Sequence, residues 1–550
     1  MSNGLSGSVA AGTRCIVILS GKHNLMIAIA FSLWLPVAGI VAATAAATAA
    51  TTTTPVVVTS PEAPGDLTAY GITVMLKTET RQLVGTETVD WHNTTGQAQK
   101  TLYLRLYPNA GYYGEAEINV RDVRIDGIPV ATPGGDDPTV LSIPLERAVA
   151  PGDRVSIALS FVTVVPLGSS GSFGVFQLDP KSSVWTLADW YPILAGWEAS
   201  TGAWYLDRPT TFGDPTFSET ATYEIGLTAP GTLKIAGTGD VTDSVATSDG
   251  NVLHTIATGP VREFAMTLMP DAGSGHGVVQ ATREIKGVTT DANREFTVRL
   301  TLPVAAAIPG LEDAILDAVT AALPVYAEWL GTLPADEIDL ATTSLDGATG
   351  VSWSGLILLD VSSILLDGVL SDQERMGLTF VVTHELGHQW IGGVIGSNSN
   401  DHGFMSEGLT NAMALNVLRE LDGPDAASAY LQGFVAGGYA ALVRDGRDAI
   451  ADTPITNDMN GVIRGLVVYG KGGLGFEAIR QELGKDGFRA AMTAYAARFR
   501  FGIATPEDLL ASFASHEGDH EDVTVLWMFW FERASAKMAD VEAVFAGAGT

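Results

Sequence analysis

The hydrophobic residues of this chain change their period between its first and second halves. From Ala69 to about Pro270 they alternate with polar residues, as in the stretches 102–106 and 155–161, and no long helical pattern intervenes. Alternation places one face of each strand on a core, and turn signals rich in Pro, Gly and Asp separate the runs. We therefore expect an N-terminal antiparallel domain that resembles a β-sandwich.

From Leu311 onward the apolar residues recur at helical spacing instead. Phe488, Met492, Tyr495 and Phe499 are one such set, and side chains three or four residues apart share one face of a helix. The predicted fold class is therefore α+β, with the β domain first and a mainly helical domain after it.

The boundary between the two domains is predicted at the polar, glycine-containing segment 271–277. One further strand-like stretch, 296–302, follows this segment before the helical pattern begins. We expect residues 61–271 to form the β domain and residues 272–550 to form the second domain.

The first sixty residues form a separate segment. Arg14 and Lys22 are their only basic residues, and an apolar run at 25–43 and a tract of Ala and Thr follow. This order is typical of an export signal, so residues 1–60 are interpreted as a signal plus a linker. Because the apolar run is about as long as a bilayer span, an uncleaved membrane anchor is the alternative. Either form predicts an exported protein, secreted or anchored on the outer side of the cell membrane.

The composition argues against two classes of protein. The chain of 550 residues has 62 Asp plus Glu against 31 Lys plus Arg, a formal net charge of −31, whereas a protein that binds nucleic acid gains affinity from clustered positive charge. With 46% hydrophobic and 17% charged residues, the chain is too apolar to be a disordered acidic tail. Its single cysteine excludes an internal disulfide bond. Nucleic acid is thus not an expected partner.

The chemistry is concentrated in the stretch 381–390, Val-Val-Thr-His-Glu-Leu-Gly-His-Gln-Trp. Ser371 followed by Glu374 fits a capping box, so a helix is predicted from Asp372 to about Gly392. His384 and His388 are then four residues apart, which stacks two imidazoles on one face as two corners of a tetrahedral zinc site.

Two glutamates complete this pattern. Glu385 is one step round the helix from the histidines, so it suits a general base that hydrogen-bonds a water on the metal. Glu407 stands nineteen residues beyond His388, where Ser406 is predicted to cap a helix that carries it. Glu407 is the predicted third metal ligand.

The same five-residue pattern occurs again at 516–520, with Gly and Asp between its ends and more acids after it. No apolar stripe runs through this second copy, and no carboxylate follows it at the distance that separates His388 from Glu407. We interpret it as an acidic loop, because a motif match outside the right structural context is often accidental.

The stretch His-Glu-Leu-Gly-His-Gln-Trp, followed at this spacing by Glu-Gly, resembles the aminopeptidase N and leukotriene-hydrolase family of zinc metallopeptidases, within the thermolysin-like gluzincins. The resemblance implies that His384, His388 and Glu407 bind one zinc ion per chain and that Glu385 is the general base. It also implies a thermolysin-like catalytic domain after the β domain. The family usually carries a further long helical domain at its C-terminus, which is not expected here.

Family members also carry a tyrosine in a Tyr-x-Lys-Gly stretch that donates a hydrogen bond to the oxyanion. In this sequence the stretch 467–473 supplies it as Tyr469, 62 residues after Glu407. Lys471 of the same stretch is interpreted as a solvated charge, because Lys is almost never buried unless it is paired.

A substrate-binding strand of the family has the pattern Gly-x-Met-Glu-Asn, whose glutamate pairs with the free α-amino group of the substrate. The matching stretch begins Gly350-Val351-Ser352. The resemblance therefore implies that its backbone still binds the substrate as an added strand, whereas Ser352 replaces the amine-binding carboxylate.

Two functions follow from these observations. The leading one is an exported zinc peptidase that is similar to aminopeptidases and acts on peptide or protein substrates. The alternative is a catalytically weak member of the family that binds peptides or a cell-surface partner, and Ser352 motivates it. The intact metal ligands, base and Tyr469 favour the peptidase, because a pure binding module has no need of all five.

Overall fold

The computed structural model describes residues 67–168, 171–211, 216–271, 277–286, 288, 295–365, 369–456, 460–516 and 522–549. The predicted export segment and most of the second motif copy lie outside the described residues. Among the helices within these ranges, none is long and apolar enough to cross a membrane.

The N-terminal part of the described chain is built from β-strands. They are β1 Thr68–Lys77, β2 Gln82–His92, β3 Gln99–Arg105, β4 Glu117–Ile125, β5 Ile128–Pro129, β6 Val140–Val149, β7 Arg154–Val164, β8 Phe176–Leu178, β9 Trp185–Leu187, β10 Ile193–Leu194, β11 Trp197–Glu198, β12 Ala203–Trp204, β13 Ala221–Pro230, β14 Leu233–Gly237, β15 Asp240–Ala246, β16 Asn251–Ala257 and β17 Met266–Pro270. The largest sheet has the strand order β15-β16-β13-β1-β2-β7-β4-β5, and three smaller sheets have the orders β10-β3-β6, β11-β12 and β14-β17-β9-β8.

The alternation in the sequence sets the buried face of this large sheet. In β7, Val155, Ile157, Leu159 and Phe161 are all buried, and the residues between them are only partly buried. The expectation of a purely antiparallel sheet is wrong at one place, because β1 pairs with β13 in parallel. The pairing joins strands that are distant in the chain, so no hairpin signal in the sequence indicates it.

The C-terminal part combines one sheet with helices. Its elements are β18 Val278–Ile285, β19 Phe296–Pro303, α1 Leu311–Leu330, β20 Glu337–Thr342, β21 Gly350–Trp353, β22 Leu356–Leu359, α2 Asp372–Gly387, α3 Leu409–Asp422, α4 Pro424–Tyr430, α5 Gly437–Arg444, α6 Gly461–Gly465, α7 Gly472–Phe499, α8 Pro506–Ala514, α9 Asp522–Trp530 and α10 Met538–Gly547. Among the described residues, π-helical turns also occur at Phe404–Gly408, Leu431–Val435 and Leu466–Lys471.

The sheet of this part has the order β18-β19-β20-β22-β21, so β21 is an edge strand. One contiguous hydrophobic cluster joins the sheet to α1, α2 and the later helices. A separate small cluster joins the sheet to the β domain, with Ala236 and Met269 on one side and Ala341, Leu356 and Leu358 on the other. This packing fixes the edge strand β21 between the two parts of the molecule.

Glu87 is an unexpected acid in the core of the large sheet. It is 1% exposed, and neither of its carboxyl oxygens has a hydrogen-bond partner among the described residues. Burial therefore raises its pKa well above the ordinary value of 4.5. The carboxyl of Glu87 therefore binds its proton more tightly in the folded chain than in the unfolded chain. Its contribution to the free energy of unfolding is fully present below the ordinary pKa of 4.5. That contribution is lost as the pH rises from 4.5 through the higher pKa of the folded state.

We expect Glu87→Gln to remove this pH dependence. Between about pH 5 and pH 7 the free energy of unfolding should fall in the original protein, relative to the variant, by at most about 1.4 kcal/mol per pH unit. Denaturant unfolding of both proteins at the two pH values measures the difference. A difference that stays constant with pH would show that Glu87 is not the titrating group.

Candidate active site

Helix α2 places the two motif histidines on one face. The predicted capping box is present, since the Ser371 hydroxyl accepts from the Glu374 amide and the Glu374 carboxylate accepts from Ser371. The helix begins at Asp372 as expected but ends at Gly387, five residues before the predicted end near Gly392. His388 follows as the C-cap and keeps helical dihedral angles, so the two imidazoles still lie one turn apart.

Glu407 reaches these histidines from the first π-helical turn, Phe404–Gly408. The expectation that Ser406 caps a helix here is wrong, because Ser406 lies inside the turn and makes no capping bond. In a π-helical turn each backbone hydrogen bond spans five residues instead of four. The side chain of Glu407 therefore points in a different direction than it would in an ordinary α-helix.

The three predicted metal ligands converge on one point. The Nε2 atoms of His384 and His388 are 3.1 Å apart, and each lies 3.3 Å from Oε2 of Glu407. In a tetrahedral zinc site with bonds of about 2.0–2.1 Å, two ligand atoms are about 3.3 Å apart. This is the one cluster of its kind among the described residues, and its two imidazoles and one carboxylate are a donor set that suits zinc.

The charges in this cluster stabilise each other. Burial raises the pKa of Glu407, but the two histidines outweigh burial and hold that pKa well below its usual range. Burial lowers the pKa of His388, yet the adjacent Glu407 raises the pKa of His388 to about 9. Zinc binds the deprotonated imidazole, so a metal ion replaces this proton.

Glu385 lies beside the cluster and against the edge strand. Its side chain is 6% exposed, and burial raises the pKa of its carboxyl. A β-carbon built on Gly350 would lie only 2.5 Å from Oε1 of Glu385. Position 350 of β21 therefore has to be glycine for Glu385 to occupy its place, and the proposed substrate strand runs directly beside the proposed base.

Gly350→Ala is expected to displace the Glu385 carboxylate and to lower kcat for peptide hydrolysis by up to about 10²-fold, the effect of moving a catalytic group by about 1 Å. The zinc content should stay unchanged, since the three atoms nearest the new methyl group all belong to Glu385, which is not a metal ligand. Gly71→Ala is the matched control, because nothing lies within 4 Å of its added carbon. Equal activity of both variants would argue against this placement of Glu385.

Ser352 has a partner that the sequence did not reveal. Nε2 of Gln389, the residue after His388, donates to Oγ of Ser352 at 2.7 Å and to the carbonyl oxygen of Trp353 at 2.9 Å. Oε1 of Gln389 accepts from the Gly355 amide at 2.8 Å. Gln389 thus holds the β21–β22 hairpin against α2. The position of Gln389 directly after His388 in the motif was the sequence signal that could have identified it as a residue of the site.

Tyr469 lies on the third π-helical turn, Leu466–Lys471. Its ring centroid is 6.1 Å from that of His384, and the negative charge of Glu407 acts on its hydroxyl. Burial raises the pKa of Tyr469 well above its ordinary value, so the hydroxyl stays protonated and remains a hydrogen-bond donor.

The interpretation of Lys471 as a solvated charge is wrong. Its side chain is fully buried, and Nζ donates to both carboxyl oxygens of Asp448, at 2.9 and 3.1 Å. Nζ also donates to the carbonyl oxygens of Ala449 and Arg533. Lys471 is thus a fully satisfied buried cation that ties the turn bearing Tyr469 to two distant segments.

A single large cleft joins these groups. Its lining includes His384, Glu385, Glu407 and Tyr469, the edge strand Gly350–Trp353, and residues of the β domain such as Glu263. Gly350, Val351 and Ser352, the residues predicted to bind substrate, line the same cleft as the metal cluster.

Comparison with known proteins agrees with this arrangement. Residues 318–530 match the peptidase family M1 domain. Aminopeptidase N of Lactobacillus helveticus is 28% identical over 206 residues, which cover 36% of this chain and 24% of the relative. Aminopeptidase M1-A of Oryza sativa subsp. japonica is 25% identical over 273 residues, which cover 47% of this chain and 29% of the relative. The chain thus spans about a quarter of the length of the curated relatives it matches.

Solved structures show the same fold over a longer range. An M1 zinc metallopeptidase from Deinococcus radiodurans superposes with a TM-score of 0.60 at 16% identity, covering 86% of this chain and 94% of that one. A mutant of that protein bound to a Tyr-Ser-Ala substrate superposes with a TM-score of 0.61 and covers 95% of its own length. Residues 318–530 thus resemble the peptidase family M1 domain, and the described chain has the fold of a two-domain M1 metallopeptidase.

Proposed function

We propose that this chain is a zinc-dependent peptidase that hydrolyses peptide bonds in an aminopeptidase-like cleft. The observation that carries the proposal is the triangle of ligand atoms on His384, His388 and Glu407, with sides of 3.1 to 3.3 Å. Zinc held there supplies a Lewis acid that lowers the pKa of a water toward about 7.

Glu385 is the group that moves the proton. Its raised pKa matches a general base, which accepts a proton from the attacking water and then passes it to the leaving amine. The buried position of the carboxylate limits its exchange with bulk solvent. Its contact with Gly350 places it next to the strand on which the peptide is aligned.

Tyr469 and the edge strand orient and stabilise the reacting peptide. The protonated Tyr469 hydroxyl is a donor for the oxyanion that forms on the scissile carbonyl, and a preorganised donor of this kind is worth about 2.7–4 kcal/mol in other enzymes. Because β21 ends its sheet, its outer backbone groups are available to pair with an extended peptide.

The choice between aminopeptidase and endopeptidase turns on Ser352. Its hydroxyl is engaged by Gln389 and carries no charge, so it cannot neutralise a free α-amino group as a carboxylate does. Two other carboxylates of the cleft, Asp189 and Glu263, come from the β domain. Asp189 already accepts a hydrogen bond from the Thr216 hydroxyl at 2.7 Å, so a peptide comparison has to decide between the two activities.

The test compares purified, zinc-loaded protein on fluorogenic peptides with a free or an acetylated N-terminus. Turnover of the free peptides alone supports an aminopeptidase. Equal turnover of both kinds would identify an endopeptidase, and no turnover of either kind would favour the peptide-binding alternative.

Export is part of the same proposal. The basic residues Arg14 and Lys22, the apolar run 25–43 and the Ala/Thr tract support it. Fractionation of the native host, with sequencing of the mature N-terminus, tests it. A shortened chain in the medium indicates a cleaved signal, and an intact chain in the membrane fraction indicates an anchor. Intact chain in the cytosol would contradict export.

A further inference from the structure

One arginine of the cleft carries donors that the protein does not use. Arg464 lies on the short helix α6, Gly461–Gly465, and lines the same cleft as Glu385 and Tyr469. Its Nε and Nη2 atoms are buried and have no hydrogen-bond acceptor among the described residues. A buried donor without an acceptor costs free energy, and a charged one costs more.

A second arginine of the cleft, Arg262, differs from Arg464 in having hydrogen-bond acceptors within the protein. Arg262 also lines the cleft, but its guanidinium donates to the carbonyl oxygens of Ser218, Val394 and Gly502. Both terminal nitrogens of Arg262 are thus supplied with acceptors by the protein, and only its Nε has none among the described residues. Arg464 has the same functional group in the same cleft, but its Nη2 as well as its Nε lacks an acceptor among the described residues.

The structure makes specific room for the Arg464 guanidinium. A β-carbon built on Gly403 would lie 2.9 Å from Nη2 and 3.5 Å from Nη1 of Arg464, so the guanidinium packs directly against the backbone at position 403. Gly403 directly precedes the π-helical turn that bears Glu407. The guanidinium is therefore held against the segment that supplies the third metal ligand.

Within the part of the chain that the structure describes, Arg464 forms no ion pair with a carboxylate. Glu407 is the acid whose charge acts on it, but the Glu407 carboxylate already pairs with His384 and His388, at 3.3 Å from each. Burial lowers the pKa of Arg464, and the attraction of the Glu407 carboxylate opposes that effect only in part. The cleft thus contains a desolvated positive charge that a bound anion would stabilise.

We propose that Arg464 binds a carboxylate group of the peptide substrate. Nε and Nη2 are adjacent donors on one side of the guanidinium, and such a pair receives the two oxygens of a carboxylate in parallel. The carboxylate reaches them when the guanidinium turns toward the cleft, a side-chain change of the kind that commonly accompanies binding.

This proposal rests on the proposed function, and it narrows the substrate class. Either the C-terminal carboxylate of a short peptide or an acidic side chain supplies the same chemistry. Arg464 lines the same cleft as Tyr469 and Glu385, so the carboxylate would be bound in the cleft that holds the reacting carbonyl. Short peptides with a free C-terminus, or peptides with Asp or Glu near the cleaved bond, are therefore the preferred substrates.

Binding to the full-length, zinc-loaded Glu385→Gln protein tests the proposal without turnover. Calorimetry compares trialanine with trialanine amide, and Ala-Ala-Asp amide with Ala-Ala-Asn amide. We expect the carboxylate member of at least one pair to bind about tenfold more tightly or better. The pair that shows the preference identifies the source of the carboxylate.

Substitutions test whether Arg464 causes the preference for peptides that carry a carboxylate. Arg464→Gln in the same background should abolish it, and Arg464→Lys should retain only part of it because Lys lacks the paired donors. Arg447→Gln is the matched control, since Arg447 is exposed and pairs with Asp445 on the surface. Zinc content and circular dichroism of each variant establish that it is folded.

Two results would overturn the proposal: equal binding of carboxylate and amide peptides by the Glu385→Gln protein, or a preference that persists in folded Arg464→Gln protein. If Arg464→Gln fails to fold, the Arg464→Lys protein decides, and an undiminished preference there counts against the paired contact. Because these experiments measure binding, they stand apart from the activity assay. Absence of turnover by the unmodified protein would contradict the proposed peptidase activity. It would not change the conclusion about carboxylate binding by Arg464, which rests on the calorimetry alone.

Discussion

Glu385→Gln is expected to lower kcat for peptide hydrolysis by about 10²–10⁴-fold, the usual contribution of a general acid–base group. Glutamine has the same shape but cannot accept a proton, and it leaves the ligand atoms of His384, His388 and Glu407 in place. Steady-state kinetics with a free-amine peptide, together with zinc analysis of the same sample, measure both parts of this expectation.

The zinc analysis separates a lost base from a lost metal site. His384→Ala is the companion variant, and it should lose zinc as well as activity because it removes one corner of the ligand triangle. Full activity in Glu385→Gln, with zinc retained, would rule out Glu385 as the base. Loss of zinc in Glu385→Gln would instead mean that Glu385 is needed for the metal site.

Lys471→Met is expected to lower the free energy of unfolding by about 3–5 kcal/mol, because it leaves the carboxylate of Asp448 buried without its cation. The Asp448 side chain is only 8% exposed, and the turn that carries Tyr469 loses its link to Ala449 and Arg533. Denaturant unfolding measures the change.

Lys485→Met is the matched control for this loss. Lys485 pairs with Glu420 at 3.2 Å, but its side chain is 55% exposed, so its removal should cost about 0–1 kcal/mol. Similar losses in the two variants would contradict the assignment of Lys471 as a buried structural cation. A folded Lys471→Met protein should also show reduced kcat, since Tyr469 sits two residues away on the same turn.

The parts of the site that the sequence predicted are those set by local geometry. His384 and His388 share a face because an α-helix has a fixed period, and the capping box of Ser371 and Glu374 marks the helix start. Glu407 was found by its spacing from His388. The buried face of β7 followed from alternation, which is also a local property of the chain.

The parts that the sequence missed depend on contacts between distant residues. Lys471 is buried because Asp448 and Arg533 come together around it. These residues are distant in sequence, so no local sequence pattern indicates the contact. Likewise, Ser352 and Gln389 are far apart in sequence and bond only because β21 packs against α2. The early end of α2 and the π-helical turn at Glu407 arise from tertiary packing, which overrides local helix propensity.

The central claim is that one zinc ion on His384, His388 and Glu407 is required for peptide hydrolysis. The most direct test removes metal from the full-length protein and adds zinc back while activity on a free-amine peptide is followed. The proposed function predicts that activity disappears on removal and returns in proportion to added zinc, up to one ion per chain. Activity that survives complete removal of metal would contradict it.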